Sequence, residues 1–131
     1  MSVDLASGSL VLSFKAGADL SAKQFMFVKM SAADTVILCA AATDKPIGVL
    51  QNKPTSGQIA SVLVIGCTKV SSDAALTVGT LIGTQSDGQA DAKTPGTDTT
   101  EYTCGQVIVA SGAAAGLATA VINCANLGRA A

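Results

Sequence analysis

The chain contains no histidine and no tryptophan. Without histidine, no side chain titrates near neutrality by default, and the commonest general base and metal ligand is missing. Histidine-dependent triads, cysteine–histidine dyads and histidine-bearing zinc sites are therefore excluded within one chain. Charge is also scarce. Charged residues are 13% of the 131, against about 25% in an ordinary globular domain. Eight Lys+Arg against nine Asp+Glu leave a net charge of −1, and the lysines are spread along the chain rather than clustered. Phosphate-backbone affinity needs clustered cations, so nucleic acid is not expected as a partner. Aromatics are 3% of the chain, with Tyr102 the only tyrosine. The phenylalanines, Phe14, Phe25 and Phe27, sit on core-like runs. A nucleic-acid-binding barrel would need stacking aromatics over basic grooves, and these are absent.

Catalytic signatures are missing as well. There is no GxSxG elbow and no GxxxxGK[ST] loop. Two carboxylate pairs, Asp87 with Asp91 and Asp98 with Glu101, could in principle support acid–base work. All four lie in polar loops, where solvation explains them. The run Asp87-Gly88-Gln89-Ala90-Asp91 lacks the acidic density of a calcium loop. No catalytic residue, metal or cofactor is expected, and the chain is not expected to be an enzyme. The four cysteines (Cys39, Cys67, Cys104, Cys124) contain no CxxC pair, which excludes a zinc ribbon or thioredoxin-like motif. Each lies in an apolar or strand-like stretch and reads as a buried thiol; two disulfides in a secreted protein are the alternative. The opening MSVDLASGS has neither a cationic nor an apolar segment of a signal peptide, which favours folding in a reducing compartment.

What the sequence does have is apolar material, 49% of residues, cut into short runs by Gly, Pro, Asp and Ser. Disordered chains are poor in apolar residues and strongly charged, so this one folds. The runs are 10–15, 25–30, 35–40, 46–51, 59–70, 81–82, 106–109 and 117–124. Short β-branched runs separated by turn residues predict an all-β barrel or sandwich. The run 59–70 is apolar on both faces and should be a central strand. Asp19–Gln24, with Asp19 as N-cap, and Ser72–Leu76 are expected to form short helical turns. The polar stretch Asp91–Glu101 is the longest expected loop, of a length that is commonly functional or mobile. A strand–turn–strand pattern at Gly48–Cys67 recurs at Gly105–Cys124, a faint echo of duplication.

Residues 105–128 carry no charge, and their length would suffice for a membrane span. The large side chains nevertheless fall in two clusters around Ser111-Gly112 and Gly116, which are turn formers, so a hairpin is expected. Residues 1–9 read as an N-terminal arm preceding a single domain, 10–131. The arm could add as a strand to a partner's sheet edge. Candidate partner-binding residues are Val3, Asp4 and Leu5 in the arm and Asn52, Lys53 and Pro54 in the turn after the fourth run.

Several motifs occur in order: Lys15-Ala16-Gly17-Ala18-Asp19-Leu20-Ser21; Phe27-Val28-Lys29; Pro46-Ile47-Gly48-Val49-Leu50-Gln51-Asn52-Lys53-Pro54; Gly57-Gln58; Val62-x-Val64-x-Gly66 leading to Lys69-Val70; Val78-Gly79-Thr80-Leu81-Ile82; and Asp87-Gly88-Gln89-Ala90. Over roughly residues 10–124 the sequence resembles the family of small tailed-phage head decoration (cement) proteins. The Asp91–Glu101 loop is longer and more polar than the family pattern. The resemblance implies a β-tulip fold and no catalytic residues. It implies a homotrimer at three-fold and quasi-three-fold positions on the outer capsid surface, bound to the major capsid protein. It places the protein in the virion, and in the host cytoplasm during assembly. Two other classes fit the same chain: a subunit of a cell-surface or fibre assembly, and a membrane-associated protein using residues 105–128.

Overall fold

A computed structural model describes residues 9–112 and 116–130. The strands are β1 (Leu10–Ala16), β2 (Phe27–Ala32), β3 (Thr35–Leu38), β4 (Gly48–Leu50), β5 (Ile59–Ser71), β6 (Leu81–Thr84), β7 (Ala90–Ala92), β8 (Tyr102–Thr103), β9 (Gly105–Val109), β10 (Leu117–Asn123) and β11 (Gly128–Arg129). The fold is all-β, as the run pattern predicts. Nine strands form one sheet in the order β1-β3-β2-β4-β5-β10-β9-β6-β7; β1 also pairs with β5, closing a five-stranded barrel from β1 to β5. A separate two-stranded ribbon joins β8 and β11.

The two expected helical turns do not form; no described residue is helical. Asp19 does accept a hydrogen bond from the Ser21 amide at 3.0 Å. A single Lys23-to-Leu20 backbone bond follows, and the chain then turns away. Burial of Leu20 in the barrel decides the path of so short a segment, because a few residues cannot hold a helix by propensity alone. Ser72 and Leu76 instead sit in β-bridges, to Ala90 and Ser111 respectively. The uncharged stretch from residue 105 forms the antiparallel pair β9–β10, with the turn tip outside the described residues. Among the described residues no helix is long and apolar enough to cross a membrane.

The echo between the two halves proves to be a structural repeat. In the first unit β2 pairs with β3 and β4, and β4 with β5. In the second, β6 pairs with β7 and β9, and β9 with β10. The registers coincide. Val28↔Leu38 has its counterpart in Ile82↔Ala92, and Val28↔Gly48 in Ile82↔Gly105. Leu50↔Val62 corresponds to Val107↔Ala120. The closing strand also has a counterpart. Ala16 of β1 lies beside Val36 of β3 in parallel, as Ser72 at the end of β5 lies beside Ala90 of β7. The chain is thus two overlapping five-strand units that share β5, which closes the first and opens the second.

Side chains follow the same mapping. The first barrel is filled by Ala16, Leu20, Val28, Val36, Leu50, Ala60 and Val62. Their counterparts Ser72, Leu76, Ile82, Ala90, Val107, Ala118 and Ala120 are likewise buried. The second unit's core is shared with the outer side of the first: Phe27, Cys39, Val49 and Leu63 fall in one apolar cluster with Val70, Cys104 and Ile122 and with the second barrel's Ile82, Val107 and Ala120. The long strand β5 serves both, with Val62 facing one core and Leu63 the other, as the alternation of side chains across a strand requires.

Candidate functional site

The residues singled out in the sequence as partner-binding lie apart in their roles. Val3, Asp4 and Leu5 fall outside the described residues. Asn52 clamps the β4–β5 connection from both sides: its Nδ2 donates to the Ile59 carbonyl at 2.9 Å, and its Oδ1 accepts from the Ser61 amide at 3.0 Å. Pro54 is buried, and its carbonyl accepts from the Leu20 amide at 2.9 Å. Lys53 is exposed. Two of these three side chains are therefore committed to shaping the turn, and Lys53 alone projects from it.

The acidic residues are also occupied locally. Asp87 accepts from the Gln89 amide and Asp98 from the Thr94 amide. Asp91 and Glu101, each assigned to a different pair in the sequence, converge on Lys93. Lys93 is buried, its exposure only 3%. Burial raises the Asp91 carboxyl above its ordinary value, and the neighbouring ammonium only partly offsets this. The loop 94–101 is anchored, with the Gly96 amide bonded to the Ala130 carbonyl and the Arg129 Nε to the Thr99 carbonyl. The longest expected loop thus forms a strap held over a buried cation. At the matching place in the first unit, Asp44 accepts from the Ala40 and Ala41 amides and from Lys29 Nζ. Partial burial works against its ionisation, but these three donors outweigh that and hold the carboxyl below its usual range.

All four cysteines are free thiols; Cys39, Cys104 and Cys124 are buried and Cys67 is half-buried. Burial pushes the Cys39 thiol up to about 12. The Cys104 thiol is also raised, by contact with the Cys124 thiol and by burial, and it donates to the Ile82 carbonyl at 3.7 Å. Such thiols are unreactive small hydrophobes at neutral pH. Among the described residues no cluster of His, Cys, Asp and Glu could hold a metal ion.

What remains is surface, and two clefts mark it. One, of about 530 Å³, is bordered by the Lys29–Asp44 ion pair, Lys45, Ile47 and Leu127; the Lys45 ammonium sits 5.5 Å from the Tyr102 ring centre. The other, of about 440 Å³, is floored by Leu81, Gln106 and Val121 on the outer face of β6, β9 and β10. Large apolar side chains are exposed there (Leu81, Val121) and further along the same strands (Val109, Leu117). A second exposed apolar group, Leu10, Val11 and Leu12, lies at the start of β1. Neither surface was marked by the sequence, because alternation in these strands is read as buried-versus-exposed only once the curvature of the sheet is known. These faces offer apolar area with few charges.

No family model matches the chain, and no curated protein matches it. Among solved structures, the base of the head fibre gp8.5 of bacteriophage phi29 has the same fold. It superposes with a TM-score of 0.63 at 18% identity, covering 88% of this chain and 95% of that one. The likeness establishes a shared architecture across nearly the whole of both chains.

Proposed function

We propose that this protein is a structural component of a bacteriophage head: a decoration protein that sits as a homotrimer on the outer capsid surface, at three-fold and quasi-three-fold positions. Its partner is the major capsid protein. Its role is mechanical, clamping neighbouring capsid subunits against the pressure of packaged DNA, and no catalytic step is involved. The observation that carries this reading is the fold it shares, end to end, with the base of a phage head fibre. The ordered motifs of head decoration proteins support it independently, and so does the surface. A subunit meant to be covered by copies of itself and by a shell has little need of charge, and specific interfaces of standard size remove about 1,600 Å². Several weak contacts per trimer then add through avidity.

The test is binding to purified expanded capsids of the phage that encodes it. Saturation at a copy number divisible by three, with density at three-fold positions, is the expected result; no binding at saturating concentration overturns the reading. Removing residues 2–8 should weaken that binding while leaving the melting temperature unchanged, if the arm adds to a capsid sheet edge. The fibre-base description of the structural neighbour favours a second reading, in which this domain anchors a fibre. Density extending outward from the bound domain, contributed by another protein, would select it.

A further inference from the structure

One nucleophilic side chain lies wholly inside the second unit. Lys93 follows β7 directly, and its side chain is fully covered. The repeat shows how the space for it arises. By register, Gly83 stands where the first unit has Lys29, and Lys93 stands where it has Cys39. The first unit's lysine meets Asp44 near the surface, whereas the second unit's lysine is turned inward. Gly83 leaves the room: a Cβ there would lie 3.0 Å from Lys93 Cε and 3.2 Å from Cγ. Two carboxylates meet the buried amine. Lys93 Nζ is in direct contact with Glu101 Oε1 and lies 3.4 Å from Asp91 Oδ2. Both carboxylates are mostly covered themselves, Glu101 being 18% and Asp91 27% exposed. The same Asp91 oxygen accepts from Gln85 Nε2 at 3.3 Å.

An amine and a carboxyl held in contact, with a second carboxyl beside them, are the reactants and the proton carrier of amide formation. We infer that Lys93 and Glu101 condense in the folded chain to an intramolecular amide between Nζ and Cδ. The ammonium brings three protons and the carboxylate none. Nζ bonds to Cδ, one Cδ–O bond breaks, and two of the protons leave with that oxygen as water; the third stays on the amide nitrogen. One positive and one negative group give a neutral link, and no oxidant or reductant is needed. Asp91 takes a proton from Nζ, freeing the lone pair that attacks, and returns it to the departing oxygen. Burial raises the Asp91 carboxyl above its ordinary value, which suits it to hold a proton in transit. Glu101 is the electrophile because it is the carboxylate in contact with Nζ. Two physical effects favour closure. Fixed contact replaces a bimolecular encounter, at effective molarities of roughly 10⁵ M or more. A neutral amide also removes the desolvation cost that a buried ion pair carries. The exposed edge of Glu101 gives the released water an exit. The bond ties the strap 94–101, already pinned through Gly96 and Arg129, to the end of β7. Newly made protein holds the ion pair, and closure follows folding, because only the fold brings the groups together. The inference is independent of the head reading.

The test is the mass of the full chain, measured under denaturing conditions after prolonged incubation in the folded state at neutral pH. The expected mass is lower than the sequence requires by one water. Trypsin should then leave Lys93 uncut, so that residues 70–129 appear as one peptide, and its fragmentation should release no pieces split between 93 and 101. Lys93→Met and Glu101→Ala should each keep the full mass of their sequence. Asp91→Asn retains both reacting groups and should slow closure roughly 100-fold, read as the rate of mass loss in newly purified protein. A wild-type chain that keeps its full mass overturns the inference, whether or not any variant folds. So does a lost water that maps to Asp87-Gly88, where a backbone succinimide gives the same change, and so does a link from Lys93 to Asp91. If Asp91→Asn closes at the wild-type rate, the proton-carrier role falls.

Discussion

Single residues show where the repeat is held by sterics and where by charge. Gly48 and Gly105 occupy matching places at the starts of β4 and β9. A Cβ at Gly48 would lie 2.3 Å from the Leu63 carbonyl oxygen, and one at Gly105 would lie 2.5 Å from that of Val121. These are backbone atoms of a central strand, so neither can yield without breaking the pairing. Gly48→Ala and Gly105→Ala should each cost about 3 kcal/mol or more in urea unfolding. Gly79 is a different case. Its φ is +88°, its nearest neighbour would be the Gln106 side-chain nitrogen at 3.9 Å, and its counterpart Phe25 already tolerates φ +66°. Gly79→Ala therefore meets backbone strain without a clash and should cost about 1 kcal/mol. Equal losses at Gly79 and Gly105 would refute the distinction. Charge enters at Asp44, whose carboxyl is held below its ordinary value by Lys29 and two amides. A depressed folded value means that its stabilisation is present above the ordinary carboxylate range and is lost as pH falls through it. Asp44→Ala should cost about 1–2 kcal/mol at pH 7 and less at pH 3, measured as the separation of the two denaturation curves.

At the scale of elements, the sequence revealed the strands that carry long apolar runs and missed those that do not. The runs at 10–15, 35–40, 59–70, 106–109 and 117–124 correspond to β1, β3, β5, β9 and β10, and the run apolar on both faces is indeed the strand with a core on either side. The strands β7, β8 and β11 are only two or three residues long and contain Asp91, Thr103 and Arg129. Their pairing is imposed by the elements around them, so local composition could not reveal it. The helical turns failed for the same reason, since burial of Leu20 and the bridges of Ser72 and Leu76 override a weak local preference. The candidate surface was illegible because its residues become a row only through pairing of β6, β9 and β10. The strap over Lys93 shows a further dependence on context, since its partners are spread from Asp91 to Glu101 and it is closed by the C-terminal strand. Removing one partner of a buried pair leaves an uncompensated charge. Lys93→Met should cost about 2–3 kcal/mol, a figure reduced because Asp91 and Glu101 are partly solvated. Adding Glu101→Gln should recover part of that loss. A double-mutant cycle with no coupling would show that the strap is held by its backbone bonds alone.

At the scale of the molecule, the question is whether two units sharing one strand behave as two bodies or one. The shared apolar cluster draws side chains from both units, and β5 cannot leave one barrel without leaving the other. Repeats coupled this strongly through their interface unfold together. The units are nevertheless unequal. Where the first barrel has Leu50, Val62 and Val36, the second has Val107, Ala120 and Ala90, and its closure rests on the single bridge from Ser72 to Ala90. The first unit therefore carries the larger side chains at these three positions. Leu50→Ala, which opens a cavity in it, should cost about 2–5 kcal/mol. The decisive observation is the shape of the transition. Coupling through β5 requires that Leu50→Ala lower the protection of β9 and β10 amides against hydrogen exchange as much as that of β2 and β4, and that far-ultraviolet circular dichroism and Tyr102 fluorescence, a reporter in the second half, give coincident unfolding curves. If the second half kept wild-type protection, the units would be separable despite the strand and the apolar cluster they share.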